Sequence, residues 1–252
     1  MSITPEQIDR YARHLVLREV GGPGQQKLLN AKVLIIGAGG LGSPLALYLA
    51  AAGVGTLGIV DDDEVSLSNL QRQIIHQTSD IGRAKTESAK DAIEALTPDV
   101  TVVPHNERLT EKNAAQLISQ YDVVADGCDN FETRFLVNDT CFAERKPLVS
   151  AAIGEFDGQL ATFKAHEPGY PCYRCLYPEP PPPGTIPPCS EAGILGAVAG
   201  IMGAWQALEV IREIVGFGDS LAGKLMLFDG LAARTRVITL PRDPRCALCS
   251  ER

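Results

Sequence analysis

The sequence predicts an α/β protein: a doubly wound, Rossmann-like sheet whose parallel N-terminal part is continued by antiparallel strands, with a structural zinc site. Three observations predict it. Gly37-Ala38-Gly39-Gly40-Leu41-Gly42 stands between an apolar strand pattern and a small-residue helical pattern. Apolar runs alternate with helical patterns up to residue 150, then give way to short segments of alternating polarity. Two CxxC pairs, Cys172/Cys175 and Cys246/Cys249, link the middle of the chain to its C-terminal end. The expected organisation is one unit over 1–252, made of a helical arm (1–30), a nucleotide-binding part (31–150) and an antiparallel part carrying the zinc (151–252).

Thr4-Pro5-Glu6-Gln7 opens the first helix, with Thr4 as N-cap, Pro5 at the first helical position and Gln7 closing a capping box. An amphipathic arm follows through Tyr11, Leu15 and Val16, and Gly21-Gly22-Pro23-Gly24 reads as a turn. Residues 32–36 (KVLII) are apolar after Lys32, as a parallel strand buried on both faces requires. Residues 42–52 form a small-residue helix that can pack closely on it, and 56–60 form the next strand, ending in Asp61-Asp62-Asp63. Strands at 100–103, 122–125 and 147–150 alternate with helices at 84–96, 111–120 and 130–144, the rhythm of an open βα sheet. Beyond them, 159–163, 224–228 and 234–240 suit antiparallel strands, with a long helix at 193–216.

Residues 177–189 contain seven prolines, which excludes regular helix or central strand. The segment is expected to be an extended connection, either a solvated linker or a crossover loop above the nucleotide site.

The chain has 252 residues, 45% of them hydrophobic, enough to bury a core. Acidic residues outnumber basic ones 31 to 23, and no stretch concentrates Lys and Arg, which argues against a nucleic-acid footprint. The most continuous apolar stretch, 193–204, runs into Trp205, Gln206 and Glu209, short of the roughly 18 to 20 residues of a membrane span. No membrane association is expected, and with no apolar signal peptide the expected compartment is the cytoplasm.

In the glycine segment Gly37, Gly39, Gly40 and Gly42 permit a tight turn and close approach of a phosphate, which a helix N-terminus favours. Asp61 or Asp63 is placed to accept from ribose hydroxyls. Ser68-Asn69-Leu70-Gln71-Arg72-Gln73 and Lys85 add polar and cationic groups that imply a phosphate chain under chemical attack. Arg72 offers a planar fork and Lys85 a compact charge, although either taken alone also suits a solvated surface. Asp126-Gly127-Cys128-Asp129-Asn130 follows a strand and lies at the sheet's carboxyl edge. Asp129 is a candidate Mg²⁺ ligand; Asp126 is either part of the site or a turn residue.

Two CxxC pairs suit a closed tetrahedral Zn²⁺ site that holds the fold and leaves no open position for chemistry. Disulfide or redox use is the alternative, but seven cysteines cannot all pair. Cys189 precedes a helix start, where a thiol is acidified, so it is either a covalent nucleophile or a surface thiol among prolines. Cys128 and Cys141 are expected to be packing residues. His14, His76, His105 and His166 show no metal-like spacing and are assigned no chemistry; each is expected at the surface or in a local hydrogen bond.

These motifs, together with Arg10-Tyr11-Ala12-Arg13, Ser66-Leu67 and Gly82-Arg83-Ala84-Lys85, resemble in order and over essentially the whole chain those of the ThiF/MoeB/HesA adenylyltransferases, relatives of ubiquitin-activating enzymes. The resemblance implies ATP-dependent adenylylation of the C-terminal Gly-Gly carboxylate of a ubiquitin-like sulfur carrier, MoaD-like or ThiS-like. The products are an acyl-adenylate and pyrophosphate, ahead of sulfur transfer in molybdopterin or thiamine biosynthesis. It implies an ATP·Mg²⁺ site of Gly40, Asp61, Asp63, Asn69, Arg72, Lys85, Asp129 and Asn130. It also implies a homodimer in which Arg13 reaches the neighbouring subunit, and a separate sulfur-donor protein, since little chain follows Cys249. The cysteine aligned with Cys189 joins covalently to the carrier in the family's thiamine branch and is dispensable in the molybdopterin branch. Two rival readings are an NAD-dependent oxidoreductase, supported by the glycines and Asp61 alone, and a non-catalytic, zinc-stabilised binder of ubiquitin-like tails.

Overall fold

A strand of Val, Leu and Ile with no polar interruption is stable only with both faces covered, and Lys32–Ile36 (β1) lies inside the sheet with four of its five residues buried. The computed structural model describes residues 3–182 and 193–250. Around β1 stand Thr56–Val60 (β2), Thr101–His105 (β3), Val123–Asp126 (β4) and Leu148–Ile153 (β5), all parallel, followed by antiparallel Asp157–Phe163 (β6), Lys224–Asp229 (β7) and Arg234–Thr239 (β8). The spatial order is β3-β2-β1-β4-β5-β6-β7-β8. Strand order therefore reverses between β1 and β4, which opens a crevice at their carboxyl ends.

The helices are Pro5–Arg10 (α1), Ala12–Leu15 (α2), Gly21–Asn30 (α3), Gly42–Ala51 (α4), Lys85–Leu96 (α5), Ala114–Ile118 (α6), Phe131–Ala143 (α7), Tyr173–Leu176 (α8) and Gly196–Val215 (α9). Alternate β1 side chains enter different cores, as the period of a strand dictates. Val33 and Ile35 pack with α3, α4, α5 and α9 on one face, and Leu34 and Ile36 with α6 and α7 on the other. The capping box of α1 forms as its sequence predicts, with Gln7 N–H on Thr4 Oγ1 at 3.2 Å and Thr4 N–H on Gln7 Oε1 at 3.1 Å.

Several boundaries depart from expectation, three of them for an identifiable reason. Gly21-Gly22-Pro23-Gly24 is the first turn of α3 rather than a turn before it. Pro23 loses nothing there, because N–H groups in a helix's first turn have no intrahelical acceptor. Gly24 is needed for packing, since a Cβ would stand 2.9 Å from Val215 at the end of α9. The helix expected over 111–120 shortens to α6, because Asn113 turns its carboxamide back onto the Thr110 N–H at 2.7 Å. The strand expected at 100–103 extends to His105 through Pro104, which is tolerated because β3 is an edge strand.

The helix expected over 193–216 is α9, which starts three residues later at Gly196, so it takes in the apolar stretch from 196 on, and its Gln206 and Glu209 are buried and hydrogen-bonded. Gln206 Nε2 donates to the carbonyls of Asp126 at 2.8 Å and Val149 at 3.0 Å, and so joins the helix to β4 and β5. Among the described residues no helix is long and apolar enough to cross a membrane. The proline-rich segment is irregular over its described part, 177–182.

Candidate nucleotide site and metal centre

The crevice is built first from glycine. Gly37 leaves β1 with φ +92°, a conformation open to residues without a Cβ. At Gly42 a Cβ would stand 1.9 Å from the Gly37 carbonyl oxygen, so the turn closes only because that atom is missing. Ala38 between them is held at both ends, its N–H donating to Asp61 Oδ2 at 2.7 Å and its carbonyl lying 3.0 Å from His76 Nε2.

Asp61 ends β2 and also accepts the Asp63 N–H at 2.9 Å. Burial pushes its carboxyl above the usual range, opposed by Lys85 and the two N–H donors. Lys85, the first residue of α5, is buried with its ammonium 2.7 Å from Asp63 Oδ2 and 3.9 Å from Asp61 Oδ1. The acidic run Asp61-Asp62-Asp63 thus already has a cation, and it is this lysine.

Ser68, Asn69, Leu70, Gln71 and Arg72 form a short 3₁₀ turn and its continuation. Asn69 closes that turn by accepting the Ser66 N–H at 3.2 Å. Arg72 donates to the Ser68 carbonyl at 3.0 Å. Its aliphatic stem covers Gly40, where a Cβ would meet Arg72 Cγ at 3.5 Å and Ala199 of α9 at 3.2 Å. The cationic segment, the glycine loop and the start of α9 therefore meet at one place.

On the β4 side the two acids separate. Asp126 is 1% exposed, with its carboxylate on Arg134 Nη1 at 3.0 Å, the Ser150 hydroxyl at 2.9 Å and the Cys128 N–H at 3.0 Å. The Arg134 guanidinium also donates to Ser150 Oγ at 3.1 Å and to the Cys128 carbonyl. Asp126 is the last residue of β4, where the sequence offered a site residue or a turn residue; its carboxylate caps the following turn through the Cys128 N–H and anchors a buried ion pair. Asp129 is exposed, and Asn130 accepts the Thr133 N–H at 2.8 Å as the N-cap of α7. Of the two acids, Asp129 is the one with its carboxylate open to a ligand.

Arg13 is exposed on α2, which packs on α1 and α3. A cavity of about 530 Å³ opens beside Phe131, two residues beyond Asp129, and runs over β6–β8 past Tyr177, Gln159 and Arg236.

The four CxxC sulfurs converge. Cys172 and Cys175 Sγ are 4.0 Å apart, Cys172 and Cys246 3.5 Å, and Cys175 and Cys249 3.4 Å. Zinc–thiolate bonds of about 2.3 Å in a tetrahedron need sulfurs about 3.8 Å apart, whereas a disulfide needs about 2 Å. The spacing fits a metal, and all four thiols are free. Crowding splits their acidities. Cys172, hydrogen-bonded to Cys175 and buried, is pushed up, and Cys175, stabilised by the Cys172 thiol and the Asp243 N–H, is pushed down to about 5. A dication resolves that conflict by taking four thiolates. The metal loop is tied to α7: the Tyr173 N–H donates to Asn138 Oδ1 at 2.7 Å, and Arg174 pairs with Asp139 at 2.6 Å.

Cys189 lies outside the described residues. Cys141 is buried as expected, while Cys128 is half-buried, with its thiol pushed well up by burial beside Asp126. His76 is buried, not at the surface, and bonded at both nitrogens. Sequence reasoning did not single out Arg134, Ser150 or His76. For Arg134 a signal existed, because it stands one helical turn after Asn130 and so faces the loop before α7.

The sequence matches the ThiF family over residues 11–248. It is 46% identical to the sulfur carrier protein adenylyltransferase of Thermus thermophilus, over 100% of this chain and 94% of that one. It is 49% identical to the probable adenylyltransferase/sulfurtransferase MoeZ of Mycobacterium tuberculosis, over 96% of this chain and 62% of that one. It is 48% identical to the adenylyltransferase and sulfurtransferase MOCS3-2 of Zea mays, over 99% of this chain and 52% of that one. The chain thus spans little more than half of these two-activity relatives. Its fold is that of E. coli MccB, with a TM-score of 0.84 over 96% of this chain and 72% of that one at 22% identity. A match from residue 11 to residue 248, with relatives at 46–49% identity along nearly the whole length, makes this chain a member of the ThiF family.

Proposed function

We propose that this chain is an adenylyltransferase that joins the C-terminal Gly-Gly carboxylate of a ubiquitin-like sulfur carrier to AMP, with release of pyrophosphate from ATP. One observation carries the reading: Arg72 covers Gly40 and the buried Lys85 faces Asp61, which holds the Ala38 N–H, so two cations flank the glycine loop at the switch point of the sheet. Hydride transfer develops no charge at phosphorus for two such cations to stabilise. The adenylyltransferase names of the aligned relatives support the same reaction class.

The residues divide the work simply. A carboxylate is already a nucleophile at neutral pH, so the protein's tasks are alignment and charge stabilisation. Gly37, Gly39, Gly40 and Gly42 receive the phosphate chain at the N-terminus of α4. Lys85 exchanges Asp63 for a phosphate oxygen, which frees Asp63 to join Asp61 at the ribose. Arg72 swings its fork from the Ser68 carbonyl onto phosphate oxygens, where planar donors match two acceptors. Asp129 and Asn130 complete the site, and Asp129 is the residue to hold Mg²⁺, which neutralises phosphate charge when bound. The extended carrier tail lies in the cavity over β6–β8 and ends beside Phe131.

The working unit is a homodimer in which Arg13 of one copy completes the crevice of the other. Supporting it are the exposed apolar side chains around Arg13, Val16 at 78% and Leu17 at 48%, and Ile201 and Leu208 on one face of α9. The four cysteines hold structural zinc, a separate protein supplies the sulfur, and the setting is the cytoplasm, where free thiols persist. Residues 1–252 act as one adenylation unit.

Carrier-dependent exchange of labelled pyrophosphate into ATP tests the reading, with MoaD-like and ThiS-like carriers offered separately, each beside a copy lacking the final glycine. Exchange with an intact carrier alone is expected, and the carrier that supports it assigns the pathway. Absence of exchange with both would sink the proposal.

A further inference from the structure

Beneath the glycine loop lies a buried polar chain that plays no part in the chemistry above. His76 is 6% exposed, with Nε2 3.0 Å from the Ala38 carbonyl and Nδ1 2.8 Å from the Ser88 hydroxyl. Ser88, 2% exposed, donates to Asp80 Oδ2 at 2.8 Å. Asp80 also accepts the Gln77 N–H and the Arg83 guanidinium. The residue types are those of a hydrolytic triad, but the serine sits in the middle and is buried, so the chain has no nucleophile to present.

Proton counting fixes what His76 does. A carbonyl only accepts, so Nε2 carries a proton toward Ala38 in either charge state. The three bonds of the chain need three protons, and a neutral imidazole with one hydroxyl supplies two. Whatever proton is lacking is therefore lacking at the Ser88 end, and the bond to Ala38 persists. Burial favours the neutral ring; the Ala38 carbonyl, Asp61 and Asp80 favour the charged one, and Lys85 opposes it. In a planar trans peptide the C=O and the following N–H point in opposite directions. A carbonyl drawn down onto His76 thus turns the Gly39 N–H up, away from the core and into the crevice.

We propose that His76, anchored through Ser88 to Asp80, is a positioning residue that aims the Gly39 N–H at the phosphate chain of the nucleotide. The inference rests on the reading of this crevice as the ATP site.

Equilibrium binding of ATP to the full chain without carrier tests it. His76→Leu keeps the volume and removes the donor, and should weaken ATP binding about tenfold while the KM for the carrier stays within about twofold. His76→Ala should show a similar loss that added imidazole reverses, which keeps the proposal testable if the leucine variant does not fold. Unchanged ATP affinity in His76→Leu, or a loss in His76→Ala that imidazole leaves untouched, would overturn it. Wild-type protein that binds no ATP would instead remove the underlying assignment of the crevice.

Discussion

Lys85 Nζ lies 2.7 Å from Asp63 Oδ2, with 7% of the lysine side chain exposed and 68% of the aspartate's. The lysine is fixed and the acid is free to move, so a phosphate displaces the acid at little cost. Lys85→Met should lower exchange by about 10²–10³-fold, the usual loss when one preorganised charge is removed. The melting temperature should fall modestly, because the methionine fills the same space and the Asp63 pair is largely exposed, while the nearly buried Asp61 loses the cation that faces it at 3.9 Å. Steady-state exchange and calorimetry decide it; residual activity within tenfold of wild type would place the transition-state charge elsewhere.

Asp126 and Asp129 should respond in opposite ways. Asp129→Ala should abolish exchange and leave the denaturant midpoint unchanged, since the side chain is exposed. Arg134→Met strands the buried Asp126 carboxylate, which costs about 3–5 kcal/mol, visible as a lower urea midpoint. Full exchange in the Asp129 variant would remove that carboxylate from the mechanism.

Metal analysis should find one zinc per chain. Cys172→Ala should release it and lower the melting temperature, because structural zinc stabilises the fold directly. Chelator treatment of the wild type should do the same. A metal-free chain with an unchanged melting curve would show that the four thiols hold no structural ion.

Acid should weaken the fold before the carboxylates titrate. His76, His105 and His166 are all pushed below the ordinary histidine value by burial. Below about pH 6.5 the unfolded chain binds protons that the native chain refuses. Stability is therefore full above that pH and falls as pH drops toward the native values. Asp61 works against the trend, because a raised native pKa favours the folded state on acidification. Denaturant midpoints at pH 7.5 and 5.5 measure the sum, and His105→Gln should flatten the difference. An equally steep fall in that variant would exclude His105.

What was legible in the sequence was local. β1 and β2 appear where expected to the residue, because each is a short, mainly apolar run ended by glycine or acid. The glycine loop and the cysteines were readable because their chemistry demands fixed spacing. Gly24 misled, since its reason is Val215 on a distant helix. His76 and Asp126 gave no sign of their partners, because Ala38 and Ser150 reach them only through the folded sheet. Residue type can announce a ligand, but a supporting bond between remote positions exists only once the chain has closed.

Helix α7 begins beside Asp129 and, two turns on, is fastened to the metal loop through Asn138 and Asp139. One helix therefore carries the four-cysteine cluster at its flank and the exposed Asp129 carboxylate before its first turn. Thermodynamic reciprocity follows from that shared support. If a metal at the cysteines shifts ligand binding at Asp129 by some factor, ligand at Asp129 must shift metal affinity by the same factor.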